Sequence, residues 1–161
     1  VVYHLPFASG KACRVDQGAG GTFTHTGNNL NAVDFRMPEG TTIHAARAGT
    51  VEIVVDRFDR GGTDPDLRDS VNMILIRHSD RTYGECVYLK RGGARVKPGQ
   101  KVKALQFLCV SGNTGYSQPP HLHFAVFSPK DGTVRETFPI RFRTADHAAV
   151  VPVEGEIYRA P

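Results

Sequence analysis

Apolar residues in this chain gather into short runs set off by glycine, proline and polar turns. Thr50–Asp56 (TVEIVVD), Val71–His78 (VNMILIRH), Phe107–Ser111 (FLCVS) and His121–Phe127 (HLHFAVF) are rich in β-branched and aromatic residues and read as strands. Val51–Val55 and Met73–Ile76 are almost continuously apolar, which predicts strands buried on both faces. Ser79-Asp80-Arg81-Thr82, between two such runs, predicts a hairpin connection. No segment sustains a 3.6-residue apolar repeat with caps, so helix should be scarce. The expected fold class is all-β, mostly antiparallel.

Three loops interrupt this pattern. Asp16 to Gly21 (DQGAGG) is a glycine-rich approach to His25. Asp59 to Asp69 (DRGGTDPDLRD) is polar and turn-rich and reads as a surface insertion. Ser111 to Pro120 (SGNTGYSQPP) leads directly into a pair of histidines. Neither the phosphate-loop spacing nor the dinucleotide fingerprint is present.

Composition narrows the function classes. At 161 residues the chain has the size of one ordinary domain, and its 40% hydrophobic and 22% charged content is that of a soluble globular protein. No apolar run approaches the ~20 residues of a membrane-spanning helix. The stretch from Val1 is mixed in character and shows no secretory signal, which says little about targeting. The net charge of +4 would favour an anionic partner, but the basic residues are scattered among 16 acids, which argues against nucleic acid. Cys13, Cys86 and Cys109 form no CxxC pair. Two of them could form a disulfide in an oxidising compartment, or all could be buried thiols.

The strongest local chemical signal is His121-Leu122-His123 at the start of an apolar strand. Strand side chains alternate, so the two imidazoles share one face and Leu122 points to the other. That suits a metal or acid–base site, and equally a pair of surface histidines. A catalytic zinc takes three protein ligands and leaves one position open. His25 follows the glycine-rich loop, and Asp34 is an acid set among apolar residues in Ala32-Val33-Asp34-Phe35. A carboxylate in such a strand is costly unless paired or bound to a cation. Taken singly, His25 also reads as an exposed loop histidine and Asp34 as a turn or salt-bridge acid.

Together, His25, Asp34 and His121-Leu122-His123 resemble the pattern of the M23 peptidases, the lysostaphin-type or LytM-type zinc metallopeptidases. The resemblance extends to Asp34-Phe35-Arg36-Met37-Pro38-Glu39-Gly40-Thr41 and to Ala45-Ala46-Arg47-Ala48-Gly49-Thr50-Val51. It continues through Val96-Lys97-Pro98-Gly99-Gln100-Lys101-Val102, Ser111-Gly112-Asn113-Thr114-Gly115 and Pro120-His121-Leu122-His123-Phe124. These motifs run in order from about Gln17 to Phe142, and ordered motifs are more specific than any one alone.

The resemblance implies a single peptidase domain over residues 1–161, a compact antiparallel β-sheet with a loop-walled zinc groove. His25, Asp34 and His123 would hold Zn2+, and His121 would act beside the metal as acid–base residue. The substrate would be the peptide crosslinks or bridges of bacterial peptidoglycan, and the location secreted, periplasmic or in the cell envelope. One position departs from the family. Tyr88, in Glu85-Cys86-Val87-Tyr88-Leu89-Lys90, stands where members usually carry another active-site histidine. A phenol can donate to a developing oxyanion but is a poor base near neutrality. His78 is either a substitute for the missing histidine or an ordinary strand-end residue. Leu105 and Cys109 stand where relatives usually have glycine. The alternative function is a degenerate domain that binds cell wall, or regulates a partner hydrolase, without cutting.

Overall fold

The computed structural model describes residues 1–117, 119–130 and 134–161. It is all-β, with 42% of residues in strands and 5% in short 3-10 turns. The main element is a nine-stranded sheet. Its order is Ile157–Arg159, Ala12–Gln17, Val33–Arg36, His121–Lys130, Tyr83–Val87, Met73–Arg77, Gly49–Val55 and Lys101–Val102. Val134–Thr137 pairs with the far half of His121–Lys130, and every pairing in this sheet is antiparallel. Among the described residues no helix is long and apolar enough to cross a membrane.

The expected hairpin lies at Ser79–Thr82. Arg77 faces Tyr83, His78 N–H donates to the Thr82 carbonyl at 2.8 Å, and Arg81 takes a left-handed φ of 68°. Asp80 Oδ1 accepts from both the amide and the hydroxyl of Thr82, which closes the turn.

Register gives the sheet two unlike faces. Ile74, Cys86, Phe124 and Val33 lie opposite one another across four strands, and all four are buried. Phe35, Leu122, Val51 and Ile76 are buried with them, against Phe7, Ile43, Leu108 and Phe142 from the short strands and loops behind. Each fully buried large side chain contributes roughly 1.5–3 kcal/mol. The next row on the opposite face is Met73, Val87, His123 and Asp34.

The expectation of strands buried on both faces is not met. Val51 is 1% exposed but Ile53 is 43% exposed, and Met73 and Leu75 are only half-buried. A layer of short strands and loops covers one face, and the other stays partly open around the row that carries Asp34 and His123.

The Asp59–Asp69 segment is exposed but does not stand free. Gly61–Gly62 pairs in parallel with Gly115–Tyr116. A Cβ on Gly61 would lie 1.5 Å from the Asn113 carbonyl oxygen, so only glycine permits this approach of two backbones. Gly115 has a φ of 81°, and a Cβ there would meet Val71 at 2.8 Å. This segment thereby becomes a wall beside the histidine pair. Asp16 and Gln17, expected in a loop, instead end the Ala12–Gln17 strand.

The three cysteines stand as free, buried thiols. Cys13 and Cys86 are three strand spacings apart, roughly 14 Å, twice the reach of a disulfide. Burial pushes the Cys13 thiol up to about 11 and the Cys86 thiol up to about 12, so both remain inert hydrophobes near neutrality. Leu105, at a usual glycine position, adopts a φ of 68°, a conformation that costs a non-glycine residue about 1–2 kcal/mol.

Candidate metal centre

Three of the candidate residues converge on one buried point. His123 sits directly across the sheet from Asp34, and its Nδ1 lies 2.8 Å from Asp34 Oδ1. His25 reaches the same carboxylate oxygen from the loop, with Nε2 at 3.1 Å. One ligand atom from each of His25, Asp34 and His123 lies within 4.8 Å of the others, and all three residues are buried.

The donor chemistry fits a metal ion. His25 Nδ1 is 2.9 Å from the Gly18 carbonyl, which fixes the proton on that nitrogen. Nε2 then carries a lone pair, is wholly buried, and makes no hydrogen bond, although a carboxylate oxygen lies 3.1 Å away. A cation satisfies this pair, either a metal ion between them or a second proton on the ring. Burial opposes that proton, but Asp34 outweighs it and raises the His25 pKa. Burial would raise the Asp34 pKa, but the imidazoles of His123, His25 and His121 outweigh it and hold the acid well below the usual carboxylate range. The ligand atoms of a tetrahedral ion with bonds of about 2.1 Å stand roughly 3.4 Å apart, which small movements here would satisfy.

His121 shares the face of His123 but stands back. Its Nδ1 is 2.8 Å from the Pro119 carbonyl, so that nitrogen carries the proton. Its Nε2 is 3.7 Å from Asp34 Oδ2 and faces the cleft as an acceptor. The two histidines therefore present different ring atoms to one place, Nδ1 of His123 and Nε2 of His121.

Tyr88 closes the other side. Its ring lies 4.8 Å from that of His121 and 5.9 Å from that of His123, measured between centroids. Its φ of 71° is left-handed, a strained state for a tyrosine that turns the ring out of the strand. Burial first, and then the charges of Asp34 and Glu85, push the phenol up to about 12. Near neutrality it is a hydrogen-bond donor. His78 lies apart, 3% exposed, its Nδ1 on the Ala48 carbonyl and its ring edge-on to Tyr3. Its Nε2 is also buried without a hydrogen-bond partner, but His78 lies in the core away from the cluster of His25, Asp34 and His123 and does not line the cleft.

Gln17 belongs to the centre although nothing in the sequence singled it out. A β-bulge between Val15 and Gln17 skips one residue and sets Gln17, not Asp16, opposite Asp34. Its Oε1 accepts from the backbone N–H groups of Phe23, Thr24 and His25, and its Nε2 lies 3.3 Å from Asp34 Oδ2. One buried amide thus ties the His25 loop to the aspartate strand. Gln17→Ala leaves those three amides without their acceptor. Each such loss is worth roughly 1–3 kcal/mol where water cannot enter. We expect a lowered thermal midpoint and weaker metal retention against a chelator. A variant that keeps both would show that Gln17 does not organise the loop.

Behind the centre, Glu85 is 5% exposed and pairs with Arg135 at 2.7 Å, while His123 Nε2 lies 3.8 Å from the same carboxylate. Arg135 Nε also donates to the Asn28 carbonyl at 3.1 Å, which anchors the segment after His25.

Known proteins resemble this chain in sequence and fold. The sequence profile of Peptidase family M23 matches residues 28–136, a span that holds Asp34, Tyr88, His121 and His123 and begins just after His25. A peptidoglycan DD-endopeptidase of Vibrio cholerae is 32% identical over 58% of this chain and 19% of its own length. A glycyl-glycine endopeptidase of Staphylococcus capitis is 33% identical over 61% of this chain and 24% of its own. The chain therefore spans about a fifth to a quarter of these relatives. The antimicrobial peptidase lysostaphin of Staphylococcus simulans superposes with a TM-score of 0.55 at 26% identity, over 83% of this chain and 51% of that one. The profile covers more than half of the sequence in a matching fold, and the chain belongs to peptidase family M23.

Proposed function

We propose that this chain is a zinc metallo-endopeptidase that hydrolyses the peptide crosslinks or bridges of bacterial peptidoglycan, acting outside the cytoplasm at the cell envelope. The observation that carries this reading is the convergence of His25 Nε2, Asp34 and His123 on one buried point beside Nε2 of His121. His25, Asp34 and His123 would hold the ion, and two imidazoles with one carboxylate is a donor set that suits catalytic zinc. When bound, zinc supplies Lewis-acid polarisation of a carbonyl and makes water more acidic.

The chain's own groups supply the rest. The Pro119 carbonyl holds His121 with Nε2 toward the cleft, so this nitrogen takes a proton from attacking water and returns it to the departing amine. The Tyr88 phenol, protonated near neutrality, donates a hydrogen bond to the oxyanion that develops on the scissile carbonyl. Gln17 and the Gly18 carbonyl fix the orientation of the His25 loop. The relatives whose names describe peptidoglycan and glycyl-glycine cleavage support this substrate class.

Incubation of the zinc-loaded protein with purified peptidoglycan, followed by mass analysis of released peptides, tests the reading. Crosslinks should be lost and new amino termini should appear, and a chelator should prevent both. Intact crosslinks across a broad substrate panel, with zinc fully bound, would sink it. Tyr88 in place of the family's histidine favours one second reading, a domain that holds cell wall or a partner hydrolase without cutting. Retention of peptidoglycan with no released peptide would select it.

A further inference from the structure

The cleft continues past the centre. Tyr88 and Tyr116 line both the His121 side and a second trough, of about 420 Å³, that opens on the His123 side. The Pro65–Asp69 turn contributes Arg68 to that trough. This turn is firmly built: Asp64 accepts from the Asp66 amide, and Pro65 sets the first φ.

The two arms differ in charge. Asp16 and Glu154 line the His121 side, and Asp16 is engaged by Arg36 at 2.7 Å and Arg14 at 3.3 Å. The His123 side holds Glu85, Arg135 and Arg68. Glu85 and Arg135 neutralise one another at 2.7 Å. Arg68 remains. It is exposed, lies over the Tyr116 ring at 5.0 Å from the centroid, and makes no ion pair among the described residues. A guanidinium resting on an aromatic face is held in place while its N–H donors stay available to a carboxylate.

We propose that Arg68 is a specificity determinant that binds a free carboxylate on the substrate residue flanking the scissile amide. The substrate is then a crosslink whose flanking residue is itself a carboxylic acid, as in an amide formed by a diamino dicarboxylic acid. Uncharged glycyl bridges, which offer Arg68 no partner, are disfavoured. This assignment rests on the peptidase reading for the identity of the cleft.

Two synthetic crosslink peptides that differ only in a free carboxylate or a carboxamide at the flanking residue provide the test. The quantity read is the ratio of kcat/KM for the two. The wild type should favour the carboxylate by about tenfold at low salt, the scale of one hydrogen-bonded charge pair, and less as salt rises. Arg68→Ala should bring the ratio near one, Arg68→Lys should keep part of it, and Arg68→Glu should reverse it. Arg68 is exposed, and circular dichroism checks that each variant folds. A wild-type ratio near one, or a ratio unchanged in Arg68→Ala, overturns the proposal. If the wild type cleaves neither peptide, the peptidase reading fails separately. Calorimetric affinities of the same two peptides then decide: carboxylate selectivity that Arg68→Ala abolishes upholds the role of Arg68, and equal affinities overturn it.

Discussion

Replacing His123 with alanine should abolish zinc binding and all hydrolysis, whereas His121→Ala should keep its zinc and lose about 10²–10⁴-fold in rate, the usual contribution of a positioned acid–base group. The two residues lie two apart in sequence and on one strand face, yet the geometry separates them. His123 Nδ1 is 2.8 Å from the Asp34 oxygen that also faces His25 Nε2. His121 Nε2 is 3.7 Å from the other Asp34 oxygen, on the cleft side. Removing His123 leaves two ligands and an uncompensated buried carboxylate. Removing His121 leaves His25, Asp34 and His123 in place. Metal content by atomic emission after dialysis, measured beside peptide release, reads both effects. Equal loss of zinc in the two variants would mean that the roles within the pair are wrongly assigned.

Loss of the Tyr88 hydroxyl in Tyr88→Phe should lower the rate by about 10²–10³-fold, the scale of one oxyanion donor, with zinc binding unchanged. The ring's position against His121 and His123 and its raised pKa make it a donor that lines the cleft. Tyr88→His should preserve or raise activity, because imidazole donates as well as phenol. It should also sit more easily at a φ of 71°, since histidine is enriched in the left-handed region. Wild type, Tyr88→Phe and Tyr88→His on one substrate separate the outcomes. A silent Tyr88→Phe would make the ring ordinary packing. Activity confined to Tyr88→His would assign the natural protein to binding rather than cutting.

Much of this was legible from the sequence because strand geometry has a period of two. That period alone puts His121 and His123 on one face and Leu122 on the other, as found. The chain order of motifs pointed to the family, and the Ser79–Thr82 turn announced its hairpin. Apolar runs misled at Val51–Val55 and Met73–Ile76, because a run of hydrophobic residues records what could be covered and not what covers it. Ile53 and Leu75 lie on the face that the second layer leaves partly open.

The sequence by itself determined the all-β class, the family, and which histidines gather around Asp34. Only the tertiary structure decided how they meet. Gln17 enters the centre through a bulge that shifts register by one residue, and backbone register is a property of paired strands that no single strand encodes. The Asp59–Asp69 segment becomes a groove wall because Gly61 lets two distant backbones touch, and with it Arg68 comes to rest on Tyr116. The donor atoms of the histidines, Nε2 of His25 and of His121 but Nδ1 of His123, follow from which carbonyl or carboxylate each ring meets. Those are contacts between segments far apart in the chain, and they exist only once the sheet has closed around them.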